Sequence, residues 1–135
     1  MKKITLLLFT LFLFSHPALA KDMDGEFAVF GPGGDSCQQF LTAQKSGGHP
    51  AYAYQEWALG YLSAFNLIVK NTYNIMGTRS MDEVLDWLQD HCRYQPSTLF
   101  VNAIAALTTR LYPERRNMAP NKNTAEKWKR TFGSE

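Results

Sequence analysis

A chain of 135 residues, 45% hydrophobic and 19% charged, is long enough for one domain with a modest core. Its formal charge of +2 equals the contribution of Lys2 and Lys3, so the rest of the chain balances its bases against its 12 acids. That balance removes the electrostatic footing of a general nucleic-acid role.

Residues 1–20 have the layout of a secretory signal peptide. Lys2 and Lys3 open it, an apolar run follows over 4–14, and Ala18-Leu19-Ala20 supplies a small-x-small cleavage site. The apolar run is too short to span a bilayer, so no stable membrane anchor is expected. Residue 21 is lysine rather than cysteine, unlike a lipoprotein site. The expectation is an exported, periplasmic protein beginning at Lys21.

Residues 21–35 set Lys21 against Asp22, Asp24, Glu26 and Asp35 and include Gly25, Gly31, Gly33 and Gly34. An irregular, flexible N-terminal arm is expected. GPGGDSC lacks the lysine and the spacing of a phosphate-binding loop.

A helical domain is expected over 36–112. Its first helix spans 37–45, with Ser36 and Gln39 as a capping box and Gly47-Gly48 as the stop. The second, over 50–71, is the long one, about 33 Å from end to end. Pro50 suits its first position, where no N–H is needed. Gln55, Glu56, Ser63, Asn66 and Lys70 collapse onto one strip roughly 100° wide. Tyr54, Trp57, Ala58, Tyr61, Ala64, Phe65, Leu67, Ile68 and Val69 occupy the rest of the circumference. So apolar a helix should be wrapped by the other segments.

The third helix is expected over 81–92, with Ser80 and Glu83 as a capping box and Met81, Val84, Leu85, Leu88 and Cys92 on one stripe. Asp82 and Glu83 complement its dipole. The fourth is expected over 96–112, bounded by Pro96 and Pro113. A basic tail over 113–135 follows, with a possible short helix over 124–132 around Trp128. The fold class is all-α: a small four-helix domain around one long central helix, with one disulfide.

Cys37 and Cys92 are the two cysteines. In an oxidising compartment an even count implies one bridge, and both residues lie on apolar stripes. The alternative is two free thiols or shared metal ligands. That set is incomplete for zinc, and neither His49 nor His91 stands at a completing spacing. No catalytic, cofactor or metal constellation emerges. In Asp90-His91-Cys92, adjacent helical residues face different ways, which argues against a nucleophile pair. Tyr52, Leu59 and Tyr73 fall within or at the edge of the polar strip of the long helix. If exposed, they form a patch that a protein partner or a second copy could cover. Trp57, Tyr61 and Phe65 are expected in the core, available to a partner only when the helices loosen.

SCQQFL at the first helix, the long second helix and HCRYQPSTLF after the third resemble the HdeA/HdeB-like periplasmic proteins, and the tail AEKWKR is similar to the end of their chains. The resemblance implies a disulfide-tethered helical protein without enzymatic activity, acting as an acid-stress chaperone for unfolded clients. WALGYLSAFN departs from those chaperones. YQEWALGYLSAFN also resembles periplasmic immunity proteins that neutralise type VI secretion amidase effectors, which implies a secreted effector as partner instead.

Overall fold

The computed structural model describes residues 26–120; the signal peptide expected over 1–20 and the short helix expected over 124–132 lie outside them. Four helices form: α1 Cys37–Ser46, α2 Gly48–Ile68, α3 Met81–Tyr94 and α4 Phe100–Leu111, with short 3₁₀ turns at Gly31–Gly34 and Tyr112–Glu114. The all-α fold and the single disulfide are as expected.

Both capping boxes form. The Ser36 hydroxyl accepts from the Gln39 N–H at 3.3 Å while the Gln39 side chain accepts from the Ser36 N–H at 2.9 Å. Ser80 and Glu83 do the same at 3.3 and 2.8 Å. α1 turns into α2 across a single residue, Gly47, because Gly47 and Gly48 both take φ near +65°, at 67° and 62°. Residues with a Cβ rarely adopt that conformation.

The fourth helix begins four residues later than expected. Residues 96–99 instead serve α1: the Cys37 N–H donates to the Thr98 carbonyl at 2.8 Å and the Gln38 N–H to that of Pro96 at 2.9 Å. The first turn of a helix has donors with no intrahelical acceptor, and these carbonyls satisfy two of them. The Phe100 N–H closes the junction on the Asp35 carbonyl at 2.8 Å. The Cys37–Cys92 bridge lies beside it, fully buried, with Cα atoms 4.9 Å apart.

α2 ends at Ile68, three residues short of expectation. The Asn66 side chain accepts from the Ile75 N–H at 2.7 Å, and Asn71 takes a positive φ of 56°. The chain therefore leaves the helical path and folds back over 69–79. This connection holds the start of the tail: the Tyr73 N–H donates to the Arg116 carbonyl at 2.8 Å, and Arg79 pairs with Glu114 at 2.6 Å. Packing thus continues past 112 to Arg116.

The core is centred on Phe40, Tyr54 and Phe100, whose ring centroids lie 4.6–5.4 Å apart. Ile75, Val84, Leu88, Ile104, Leu107 and Leu111 extend it. α4 is covered most completely, burying seven residues from Phe100 to Leu111. α2 buries Tyr54, Ala58 and Leu62. The wrapping expected of the long helix therefore stops short of its last turn: Leu67 is 85% exposed and Ile68 75%.

Candidate functional site

The expected free arm departs most from what is observed. Over 26–34 the chain lies against α2 and α4 as a strap. The Trp57 Nε1–H donates to the Phe30 carbonyl at 2.7 Å. Gly33 sits flat on the same indole, and a Cβ there would stand 2.0 Å from the ring. Only a residue without a side chain fits that position unless the indole moves. One residue past the strap, Asp35 accepts from the Tyr54 hydroxyl at 2.7 Å. Burial first, then this carboxylate, hold the Tyr54 pKa well above the ordinary phenol value.

Between the strap and the helices opens an apolar cleft of about 270 Å³. Phe27, Val29 and Phe30 line it from the strap, Trp57 and Tyr61 from α2, and Val101 from α4; no charged side chain contributes. Trp57 lies 5.8 Å from Tyr61 and 6.0 Å from Phe100, ring centre to ring centre. Burial raises the Tyr61 pKa, which keeps the hydroxyl neutral. The cleft can receive an apolar side chain, and its one titratable lining group is the Tyr61 hydroxyl.

The sequence-derived candidates divide. Trp57 and Tyr61 come together in the cleft, half-buried rather than wholly inside the core. Phe65 is half-buried one turn further on and does not line it. Tyr52 is 62% exposed near the start of α2, Leu59 is half-buried, and Tyr73 is 49% exposed in the connection after the helix. Tyr52 and Leu59 share a face about 10 Å apart along the axis, and Tyr73 lies in the connection that folds back beside Asn66. The most exposed apolar pair on α2 is Leu67–Ile68, which helical periodicity had assigned to the covered side.

Sequence reasoning missed Phe27, Val29, Phe30 and Val101. The unbroken apolar run over 27–30 just before GPGG was the available signal. It also missed the Trp87–His91 stack on α3, with centroids 4.9 Å apart and planes at 19°. Residues four apart on a helix are neighbours, so the spacing permits that pair.

Among the described residues no helix is long and apolar enough to cross a membrane, and no three His, Cys, Asp or Glu side chains cluster to hold a metal ion. No family model, curated protein or solved structure matches the chain.

Proposed function

We propose that this is an exported, non-enzymatic, periplasmic binding protein that captures apolar segments of unfolded partners, an acid-stress chaperone of the HdeA/HdeB-like kind. The observation that carries the reading is the open cleft at Trp57 and Tyr61, lined mostly by apolar and aromatic side chains and by no charged one. One carboxylate at a structural joint supports the acid component: Glu83 caps α3, and the Ser80 N–H and hydroxyl hold its pKa below the ordinary value. Near pH 2 the 12 acids are largely neutral and the side-chain charge from residue 21 onward rises to roughly +14. Repulsion and the weakened cap then loosen the helices, while the bridge keeps α1 tied to α3. Trp57, Tyr61 and Phe65 become available to clients.

The test is to mix the protein with an aggregating periplasmic protein at pH 2–3 and then neutralise. Suppressed light scattering is expected. Unchanged scattering would discard the chaperone reading.

A second reading, a periplasmic immunity protein against a secreted amidase effector, is favoured by one observation. Leu67, Ile68 and Tyr73 are exposed at the end of α2 while every element around them is folded. Such a surface meets a folded partner without loosening. Tight 1:1 capture of a secreted amidase at pH 7, abolished by Leu67→Asp, is its signature; no capture would remove it.

A further inference from the structure

We infer that the end of the molecule where α2 stops and α4 runs out is a docking face for an anionic lipid bilayer. The inference goes beyond the capture of protein partners and does not depend on it.

The chain balances its charges as a whole but places them unevenly. Among the described residues every base except Lys45 and Arg93 belongs to one of two stretches, 70–79 and 110–116. The fold brings these stretches together. Asn74 and Arg116 exchange backbone hydrogen bonds of 3.1 and 2.9 Å, and the Arg115 Nε–H donates to the Asn71 carbonyl at 3.2 Å. Arg110 stands in the last turn of α4, two residues before Tyr112. Glu114 pairs with Arg79. Lys70, Arg110, Arg115 and Arg116 make no ion pair among the described residues. The next acids along the chain, Asp82 and Glu83, open α3, where Glu83 is engaged with Ser80.

Apolar groups are interleaved with these bases. Leu67 and Ile68 are exposed just before Lys70, and Met118 is exposed just after Arg116. Tyr73, also exposed, donates its N–H to the Arg116 carbonyl. The Arg115 guanidinium lies over the Tyr112 ring, 3.7 Å from its centre. An apolar patch alone selects no occupant, but unpaired bases around it select one that is anionic outside and apolar beneath. A bilayer with anionic headgroups has that profile. Stable attachment to a bilayer without a spanning helix takes two signals, inserted apolar groups and bases near the headgroups. This end carries both, together with tyrosines, which favour the bilayer interface. The remaining chain continues from the same end: residues 121–135 add Lys122, Lys127, Lys129 and Arg130 against Glu126 and Glu135, with Trp128 and Phe132. Among the described residues no helix is long and apolar enough to cross a membrane, so these residues lie on the surface.

Co-sedimentation of the exported protein with vesicles at pH 7 tests this. It should bind vesicles of equal parts phosphatidylcholine and phosphatidylglycerol and not those of phosphatidylcholine alone. Raising the salt from about 0.1 M to about 1 M, which shortens the Debye length from about 10 to about 3 Å, should release it. Lys70→Gln combined with Arg116→Gln should lower the partition coefficient about 25-fold, at about fivefold for each base. Neither side chain makes a hydrogen bond or ion pair among the described residues, so circular dichroism should be unchanged. Should that variant fail to fold, Leu67→Ala decides, with an expected loss of about tenfold from the apolar contribution. Lys45→Gln, in the last turn of α1 where α2 begins, should bind as wild type does. Absence of binding, or equal binding to both kinds of vesicle, overturns the proposal. Anionic binding that the variants leave unchanged overturns it too, because residues outside this face would then carry it. So does capture of a soluble acidic protein, lost in the double variant, without vesicle binding: the face would then belong to a protein partner.

Discussion

α2 and α4 use their apolar residues in opposite ways. α4 has 12 residues and buries seven of them; α2 has 21 and buries three. Both are strongly apolar, so composition does not separate them. Position does. α4 is enclosed by α3, by α1 at the disulfide junction, by α2 and by the strap, whereas α2 meets α1, α4 and the strap along part of its length and leaves its last turn exposed. Apolar surface that folding does not use is available for binding. The difference therefore makes α4 the better covered helix and leaves apolar surface exposed on α2, and it can be attacked from either side.

The largest effect should come from the junction that encloses α4. Replacing Cys37 and Cys92 together by alanine opens a bridge that spans 55 residues and should cost about 4 kcal/mol in the chain-entropy account. Denaturant unfolding of the oxidised wild type and the double variant measures it. A change within error would show that the backbone bonds from 96–98 to α1 hold the junction unaided.

Next is the α4 face itself. Leu107 is 1% exposed, and Leu107→Ala should cost about 2–5 kcal/mol through lost burial and the cavity it leaves. Chemical denaturation with an unchanged m-value would attribute the loss to the native state. A cost as small as that of a surface substitution would remove α4 from the centre of the fold.

A smaller effect, and one of pH, belongs to the α3 cap. The Ser80 backbone N–H, then its hydroxyl, lower the Glu83 pKa below its ordinary 4.5. A carboxylate whose folded pKa is depressed contributes stability above its unfolded pKa and loses it as pH falls through the folded value. Glu83→Gln keeps an acceptor oxygen for Ser80 but cannot ionise. Its Tm should therefore fall less steeply than that of wild type below pH 4.5. Parallel curves would mean that the Glu83 cap does not carry the acid sensitivity.

What was legible in the sequence was local. Ser36–Gln39 and Ser80–Glu83 each lie within one turn, and the stripes carrying Cys37 and Cys92 follow from helical periodicity. What was not legible depends on distant chain. Pro96 looks like a helix start until the α1 donors claim the carbonyls of residues 96 and 98. Asn66 looks like one more polar residue on α2 until its side chain takes the Ile75 N–H and the helix stops. The glycines of 31–34 read as an irregular arm because nothing local announces that Gly33 fits against the Trp57 indole. Trp57 and Tyr61 were legible as apolar, but their place at a cleft depends on that same docking. Helical periodicity assigned Leu67 and Ile68 to the covered side because it registers a face and is blind to where the neighbours end.

Leu67 gives the smallest effect and the sharpest contrast with Leu107. The residue types are identical, both lie in α-helices, and both helices are apolar. Only the surroundings differ: Leu67 is 85% exposed and sits in the last turn of α2. Truncating it removes little surface from a buried environment, leaves no cavity and unpairs no polar group. Leucine and alanine also differ little in helix propensity. Leu67→Ala should therefore change stability by no more than about 0.5 kcal/mol. Denaturation at several protein concentrations makes the test decisive. A loss well above that range, independent of concentration, would mean that Leu67 is covered within the monomer. A loss that appears only at high concentration would mean that a second copy covers it, since self-association stabilises by mass action. A null effect on stability, coupled to a loss of partner capture, would place Leu67 where the comparison of the two helices puts it: on surface that the fold leaves free for recognition.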